Sequence, residues 1–323
     1  MRAVLIEAFS EVACAGNGAA VVLLQEPWPD GPLQAVAGSL RQSETAYLLR
    51  RGSHWLLRWF TPTCEVPLCG HATLASLLAL AHWGELGPGE GTCLYSRSGP
   101  LAVRLEAGST TRGSIDLPSS GMQEAPPPAS LQALLRRRGL GEVERFWTSA
   151  LGYVVALLPE RAPLARLGPL ESELEPGLAD GLVLMQAVAG APPADDGTPP
   201  SVAGLPVDYR LRFFAPGLGI PEDPVTGSAH ALVAPWWQQR LGRHRVVGWQ
   251  CSDRPGGVVS EGLSSGMIRL FGSGHLLWDG TLITRSGSPR PSRPSRRPPP
   301  DSWAGQDRAA SDPSGWLSLL PGA

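Results

Sequence analysis

An α+β protein of two pseudo-symmetric lobes is expected from a long-period repeat, from a strand-then-helix pattern in each copy, and from the length. Arg58-Trp59-Phe60-Thr61-Pro62 is matched by Arg212-Phe213-Phe214-Ala215-Pro216. Downstream, Glu65-Val66-Pro67-Leu68-Cys69-Gly70-His71-Ala72 is matched by Glu222-Asp223-Pro224-Val225-Thr226-Gly227-Ser228-Ala229. One offset of 157 positions joins Glu65 to Glu222, Cys69 to Thr226 and His71 to Ser228. The upstream part is offset by 154, so the second copy's connecting loop holds three more residues. Two copies so far apart do not make a solenoid, which needs short periods and three or more repeats. They predict two similar lobes, and an interface between lobes is a ready-made cleft. The 323 residues suffice for two lobes of ordinary domain size.

Within each copy the elements follow from local chemistry. Residues 56–60 and 209–214 read as short apolar strands, ended by Pro62 and Pro216. A helix is expected over 72–83, with Leu74, Leu77, Leu78 and Ala81 at helical spacing. A second is expected over 229–241, with Leu232, Val233, Trp236 and Trp237 so spaced. The Cys-Gly-His and Thr-Gly-Ser triplets then stand at helix N-termini. Exposed N–H groups and the positive end of the helix dipole suit an anionic oxygen there. Ordinary capping by Thr226 or Ser228 would explain one copy. Its recurrence in both copies favours Gly70, Ala72, Gly227 and Ser228 as binding positions for a small carboxylated metabolite. Residues 125–129 and 190–205 read as surface loops. The expected division is an N-terminal lobe over 1–117, a C-terminal lobe over 118–283 and a tail over 284–323.

That tail is a different kind of polymer. Proline, serine and arginine dominate it, with six arginines against three aspartates. Such a segment buries too little apolar surface to offset its ordering entropy, so disorder is expected. A solvated appendage is the plain reading, and contact with an unidentified protein partner the sharper one.

Composition excludes several functions. A net charge of −2 gives no electrostatic footprint for nucleic acid. Nothing resembles a signal peptide or a transmembrane stretch, so no membrane is expected. Five scattered cysteines form no C-x-x-C pair, which supports neither a metal knuckle nor a disulfide framework and fits a cytoplasmic location. The chain has no lysine. That removes Schiff-base chemistry and the phosphate-binding lysine of a P-loop. No Gly-x-Gly-x-x-Gly follows a strand, so a dinucleotide has no seat. Cofactor-free chemistry without a metal is expected.

Glu7-Ala8-Phe9, Gly16-Asn17-Gly18-Ala19-Ala20-Val21, Ser43-Glu44-Thr45-Ala46 and the two repeat blocks together resemble the PhzF-like isomerases of phenazine biosynthesis. The resemblance runs from the N-terminus to about residue 282, and its signatures are specific in combination. It implies a diaminopimelate-epimerase-like fold, each lobe a curled β-sheet around a central helix. It also implies that Glu44 shuttles a proton, with His71, Asp223, Gly70 and Ser228 binding or assisting. A homodimer and a biosynthetic role complete the expectation.

The residues carry their own argument. Glu44 precedes the apolar run 46–49, where a carboxyl loses solvation, a suitable setting for an acid or base working near neutrality. His71 can donate to a carboxylate or relay a proton, and Asp223 can orient His71 or a polar substrate group. His230 reads as packing or surface. Racemases of this fold use two cysteines, one on each side of the reacting carbon. Cys69 stands where the first would be, but Thr226 occupies the second position, and a hydroxyl is a far weaker acid than a thiol. Three readings follow: an isomerase working through Glu44, an epimerase pairing Cys69 with a non-cysteine partner, and a non-catalytic binding protein that kept the pocket.

Overall fold

The computed structural model describes residues 1–188, 201–283 and 315–321. The chain forms two compact units. The first comprises Met1–Ala8, Gly18–Asp116 and Gly272–Ala323, and the second Phe9–Asn17 and Leu117–Phe271. The long strand Met267–Thr281 is therefore divided between the units at 271/272, where the whole of 118–283 was expected in the C-terminal lobe. Its later part joins the first unit by pairing antiparallel with Arg2–Ala8, from Arg2 opposite Thr281 to Ala8 opposite Gly274. No local pattern announces a pairing of that sequence separation.

In the first unit, Asn17–Leu24 lies parallel to Glu44–Arg51, which pairs antiparallel with His54–Phe60. Parallel neighbours need a crossover, and helix α1 (Asp30–Leu40) supplies it. His54–Phe60 pairs antiparallel with the short strand Glu65–Val66 and parallel with Gly91–Ser96. Helix α2 (Gly70–His82) makes that second crossover. It is buried continuously from Gly70 to Ala81, as befits a helix apolar all round. It packs on Arg2–Ala8, Glu44–Arg51 and Gly99–Leu105.

The second unit repeats this connectivity. Helix α3 (Ala129–Arg137) turns Leu131, Leu134 and Leu135 into an apolar cluster of this unit. Tyr209–Ala215 pairs antiparallel with Ile220–Asp223 and parallel with Arg245–Gln250. Helix α4 (Gly227–Leu241) bridges the parallel pair and packs on Arg245–Gln250 and Gly256–Gly262. Both helices begin two residues earlier than their apolar periodicity suggests, at Gly70 and Gly227.

An ion pair recurs in both copies. Arg58 donates from Nε and an Nη to the two oxygens of Glu65, at 2.7 and 2.6 Å. Arg212 does the same to Glu222, its Nε at 2.6 Å. Each guanidinium also lies over the phenylalanine two residues on, Phe60 at 5.1 Å and Phe214 at 5.2 Å. Both arginines are almost wholly buried. The pair clamps each strand to its short return strand just ahead of the helix.

Two other expectations need correction. Of the loop placed at 190–205, residues 190–200 lie outside the described residues. Ser201–Val202 and Leu205–Pro206 form a hairpin, whose central Ala203 and Gly204 have φ of 51° and 72°. Positive φ at both central residues is the conformation of a type I′ two-residue turn. Of the expected disordered tail, 284–314 lies outside the described residues, but Gly315–Pro321 packs on the first unit. Trp316 is fully buried, its indole donates to the Trp28 carbonyl at 2.9 Å, and Leu319 joins the same cluster as Leu33, Tyr47 and Phe60. The polar average of the whole segment hides this apolar stretch. Among the described residues no helix is long and apolar enough to cross a membrane.

Candidate active site

The sequence-expected residues of the first unit come together at the start of α2. Glu44 opens strand Glu44–Arg51, opposite Ala19 of the parallel neighbour. A turn held by Thr61 brings the chain from strand to helix. Its hydroxyl accepts from the Thr63 and Cys64 amides at 3.1 and 3.0 Å. Cys69 is the N-cap residue in extended conformation, no side chain caps the helix, and Gly70, His71 and Ala72 form its first turn. His71 Nε2 lies 3.0 Å from Glu44 Oε2. Cys69 Sγ lies 3.5 Å from His71 Nδ1 and 3.9 Å from its Nε2. Glu44 and Cys69 are 6% exposed and His71 2%, so the three face one another out of bulk water. Glu44 Oε2 has no hydrogen-bond partner, although the imidazole is near. Proximity without alignment leaves that oxygen with lone pairs to offer. The ligand atoms of all three side chains lie within 4.8 Å of one another, so this cluster is where the described residues can hold a metal ion.

The second unit's residues gather at the start of α4. Asp223 ends strand Ile220–Asp223 and is 5% exposed. Its Oδ1 accepts from Asn17 Nδ2 at 2.5 Å and its Oδ2 from the Thr226 hydroxyl at 2.6 Å. Asn17 donates also to the Val225 carbonyl at 3.0 Å. Gln250 ties the same turn, accepting from the Thr226 amide at 2.8 Å and donating to the Asp223 carbonyl. Thr226 is the N-cap residue, but its hydroxyl serves Asp223 rather than capping the helix. Gly227 is the first helical residue, and the Ser228 hydroxyl lies 3.3 Å from Tyr153 Oη. His230 is packing, as expected: it is fully buried, its Nδ1 lies 2.9 Å from the Tyr209 hydroxyl, and burial pushes its pKa down to about 3.

Sequence reasoning missed the supporting side chains Asn17, Tyr153 and Gln250. Asn17 and Asp223 are 206 positions apart, and only the Gly-Asn-Gly string of the family resemblance hinted at the asparagine.

Residues 6–260 match the family described as phenazine biosynthesis-like protein, PhzC-PhzF. The chain belongs to this family. It is 34% identical over 278 residues to an uncharacterized isomerase from Pseudomonas aeruginosa, a match covering 86% of this chain and 96% of the relative. The crystal structure of a PhzF-family phenazine biosynthesis protein from Enterococcus faecalis is similar at a TM-score of 0.72 with 28% identity, covering 88% of this chain and 99% of that one. A hydroxyproline epimerase from Agrobacterium vitis shares the fold alone, with a TM-score of 0.56 and 12% identity over 87% of this chain and 90% of that one. Membership in the phenazine biosynthesis-like family sets the chain among proteins named isomerases, on a fold that also carries epimerases.

Proposed function

We propose that this protein is a cofactor-free isomerase that moves a proton within a small carboxylated metabolite. The observation that carries the reading is the buried Glu44 carboxylate, with an oxygen lacking a hydrogen-bond partner and His71 3.0 Å away. In the proposed cycle Glu44 takes a proton from a substrate carbon and, having become the acid, returns it to a different carbon. One group serves both steps, so no second thiol is needed. His71 steers Glu44 and donates toward the substrate. The uncapped first turn of α2 at Gly70 and Ala72 suits negative charge on a substrate carboxylate. Asp223, Gly227 and Ser228 remain candidate binding positions, a role to be read from KM in their variants.

A second reading, an epimerase using Cys69, is favoured by the 3.5 Å approach of its sulfur to His71. The thiol's counterpart in the repeat argues against it, because the Thr226 hydroxyl donates to Asp223.

The deciding experiment incubates the enzyme in deuterium oxide with a panel of small carboxylates and follows exchange by mass spectrometry. Exchange into a substrate carbon by the wild type, lost in Glu44→Gln and retained in Cys69→Ser, is the expected result. Exchange that survives Glu44→Gln and is lost in Cys69→Ser would transfer the role to the thiol.

A further inference from the structure

We propose that Glu44, Cys69 and His71 form a tridentate site for a soft divalent cation such as Zn²⁺, whose occupancy shuts the enzyme off. The inhibition rests on Glu44 being the base; the binding does not.

The geometry comes first. A tetrahedral zinc ion takes imidazole nitrogen at roughly 2.0–2.1 Å, thiolate sulfur at about 2.3 Å and carboxylate oxygen at about 2.0–2.2 Å. Ligands at those radii and tetrahedral angles stand roughly 3.3–3.6 Å apart. Here His71 Nε2 lies 3.0 Å from Glu44 Oε2 and 3.9 Å from Cys69 Sγ. The third side, from Glu44 to Cys69, lies within 4.8 Å, so shifts of up to about an ångström, within reach of side-chain rotation, close the triangle around an ion. Three protein ligands leave a fourth position open for water, as in zinc sites that are not closed by four side chains.

The chemistry agrees. Glu44 Oε2 is a buried acceptor without a hydrogen-bond donor, on a side chain only 8% exposed. A cation would satisfy it. The amino end of α2 opposes a positive charge, but carboxylate and thiolate together bring two negative charges against the ion's two positive. On binding, the Cys69 thiol gives its proton to solvent and its sulfur lone pair to the metal, while His71 binds as the neutral imidazole. Magnesium and calcium prefer oxygen ligands in larger sets, so the sulfur and nitrogen donors select against them. A dication on Glu44 makes its carboxylate a much weaker base and occupies the space where the substrate's proton would approach.

The test uses the full-length protein and the metal alone. Calorimetric titration with zinc chloride is expected to give one site per chain. Titration with cadmium is expected to raise the ultraviolet thiolate-to-metal charge-transfer band, which only a cysteine ligand produces. Glu44→Gln, Cys69→Ser and His71→Ala should each weaken zinc binding at least tenfold, with circular dichroism checking that each variant is folded. The more conservative His71→Gln serves if His71→Ala does not fold. Absence of a stoichiometric site, or affinity unchanged in all three variants, overturns the proposal and assigns any bound metal to another cysteine. If zinc binds through these residues but turnover continues, the site stands and Glu44 is not the base. If Glu44→Gln abolishes turnover and zinc does not bind, the inference fails alone.

Discussion

Glu44 is the residue on which the proposed chemistry turns, and its removal makes a quantitative expectation. Positioned proton transfer contributes about 10²–10⁴-fold, so Glu44→Gln should lower kcat by at least that much while leaving KM within a fewfold. Cys69→Ser should cost far less. Steady-state kinetics on whichever carboxylate the exchange screen identifies decides between them. His230 makes a different expectation. Its pKa falls from 6.5 to about 3 because burial penalises the imidazolium. Above pH 6.5 both folded and unfolded states hold it neutral, and it contributes nothing to pH dependence. Below 6.5 the unfolded chain takes up a proton that the folded one refuses, so stability falls toward pH 3 by at most about 1.4 kcal/mol per pH unit from this group. Urea titrations between pH 4 and 7 should show a shallower decline in His230→Gln than in the wild type, and equal slopes would contradict the burial argument. Of the two residues, Glu44 was singled out by its motif, and the structure buries it beside His71. His230 was legible only as something that packs, since its partner Tyr209 is set by the fold. Asn17 and Gln250 were not legible as supports, because hydrogen bonding to Asp223 across 206 positions and to Thr226 across 24 leaves no periodicity to read.

At the scale of elements, the repeat announced two strand-to-helix turns, and the structure supplies what holds them. Arg58 and Glu65 are seven positions apart, Arg212 and Glu222 ten. The sequence shows both pairs as parts of a repeat, but that they touch follows only from the antiparallel return strands. A buried ion pair resists losing one partner more than losing both, because a lone buried charge keeps its desolvation penalty. Arg58→Met should therefore destabilise by up to about 3–5 kcal/mol, reduced by Arg97, which stays 2.9 Å from Glu65, and Arg58→Met with Glu65→Leu should cost less. Chemical denaturation of the single and double variants measures the difference. The helices were legible by spacing, yet each starts two residues earlier than its apolar face, because glycine carries no hydrophobic signal while Gly70 and Gly227 take helical conformation. Those two residues matter to the site: they put Cys69 and Thr226 at the N-cap, beside the groups they contact.

At the scale of the whole molecule, what was least legible is how distant parts of the chain rejoin. Strand Met267–Thr281 returns to pair with Arg2–Ala8, and the end of the tail returns to Trp28. Composition read over the last forty residues says solvated polymer, yet Trp316, Leu319 and Leu320 are enough to join a cluster whose other members come from residues 1 to 95 and Leu282. The Arg58 guanidinium, already bound to Glu65 and to Asp30 at 2.7 Å, lies 5.3 Å from the centre of the Trp316 ring. The tail's end thus covers the charge that clamps the first repeat. Truncating a buried tryptophan to alanine costs about 3–5 kcal/mol, and here the indole's bond to the Trp28 carbonyl goes with it. Trp316→Ala should lower the unfolding free energy by that order, and deletion of residues 284–323 should lower it by a similar amount. Because Arg58 touches the ring, the effects of Trp316→Ala and Arg58→Met should be non-additive, as expected for groups in contact. Denaturation of the two single variants and the double variant measures this coupling. Full stability after deletion of 284–323, with additive effects at Arg58 and Trp316, would return the tail to the role of a solvated appendage.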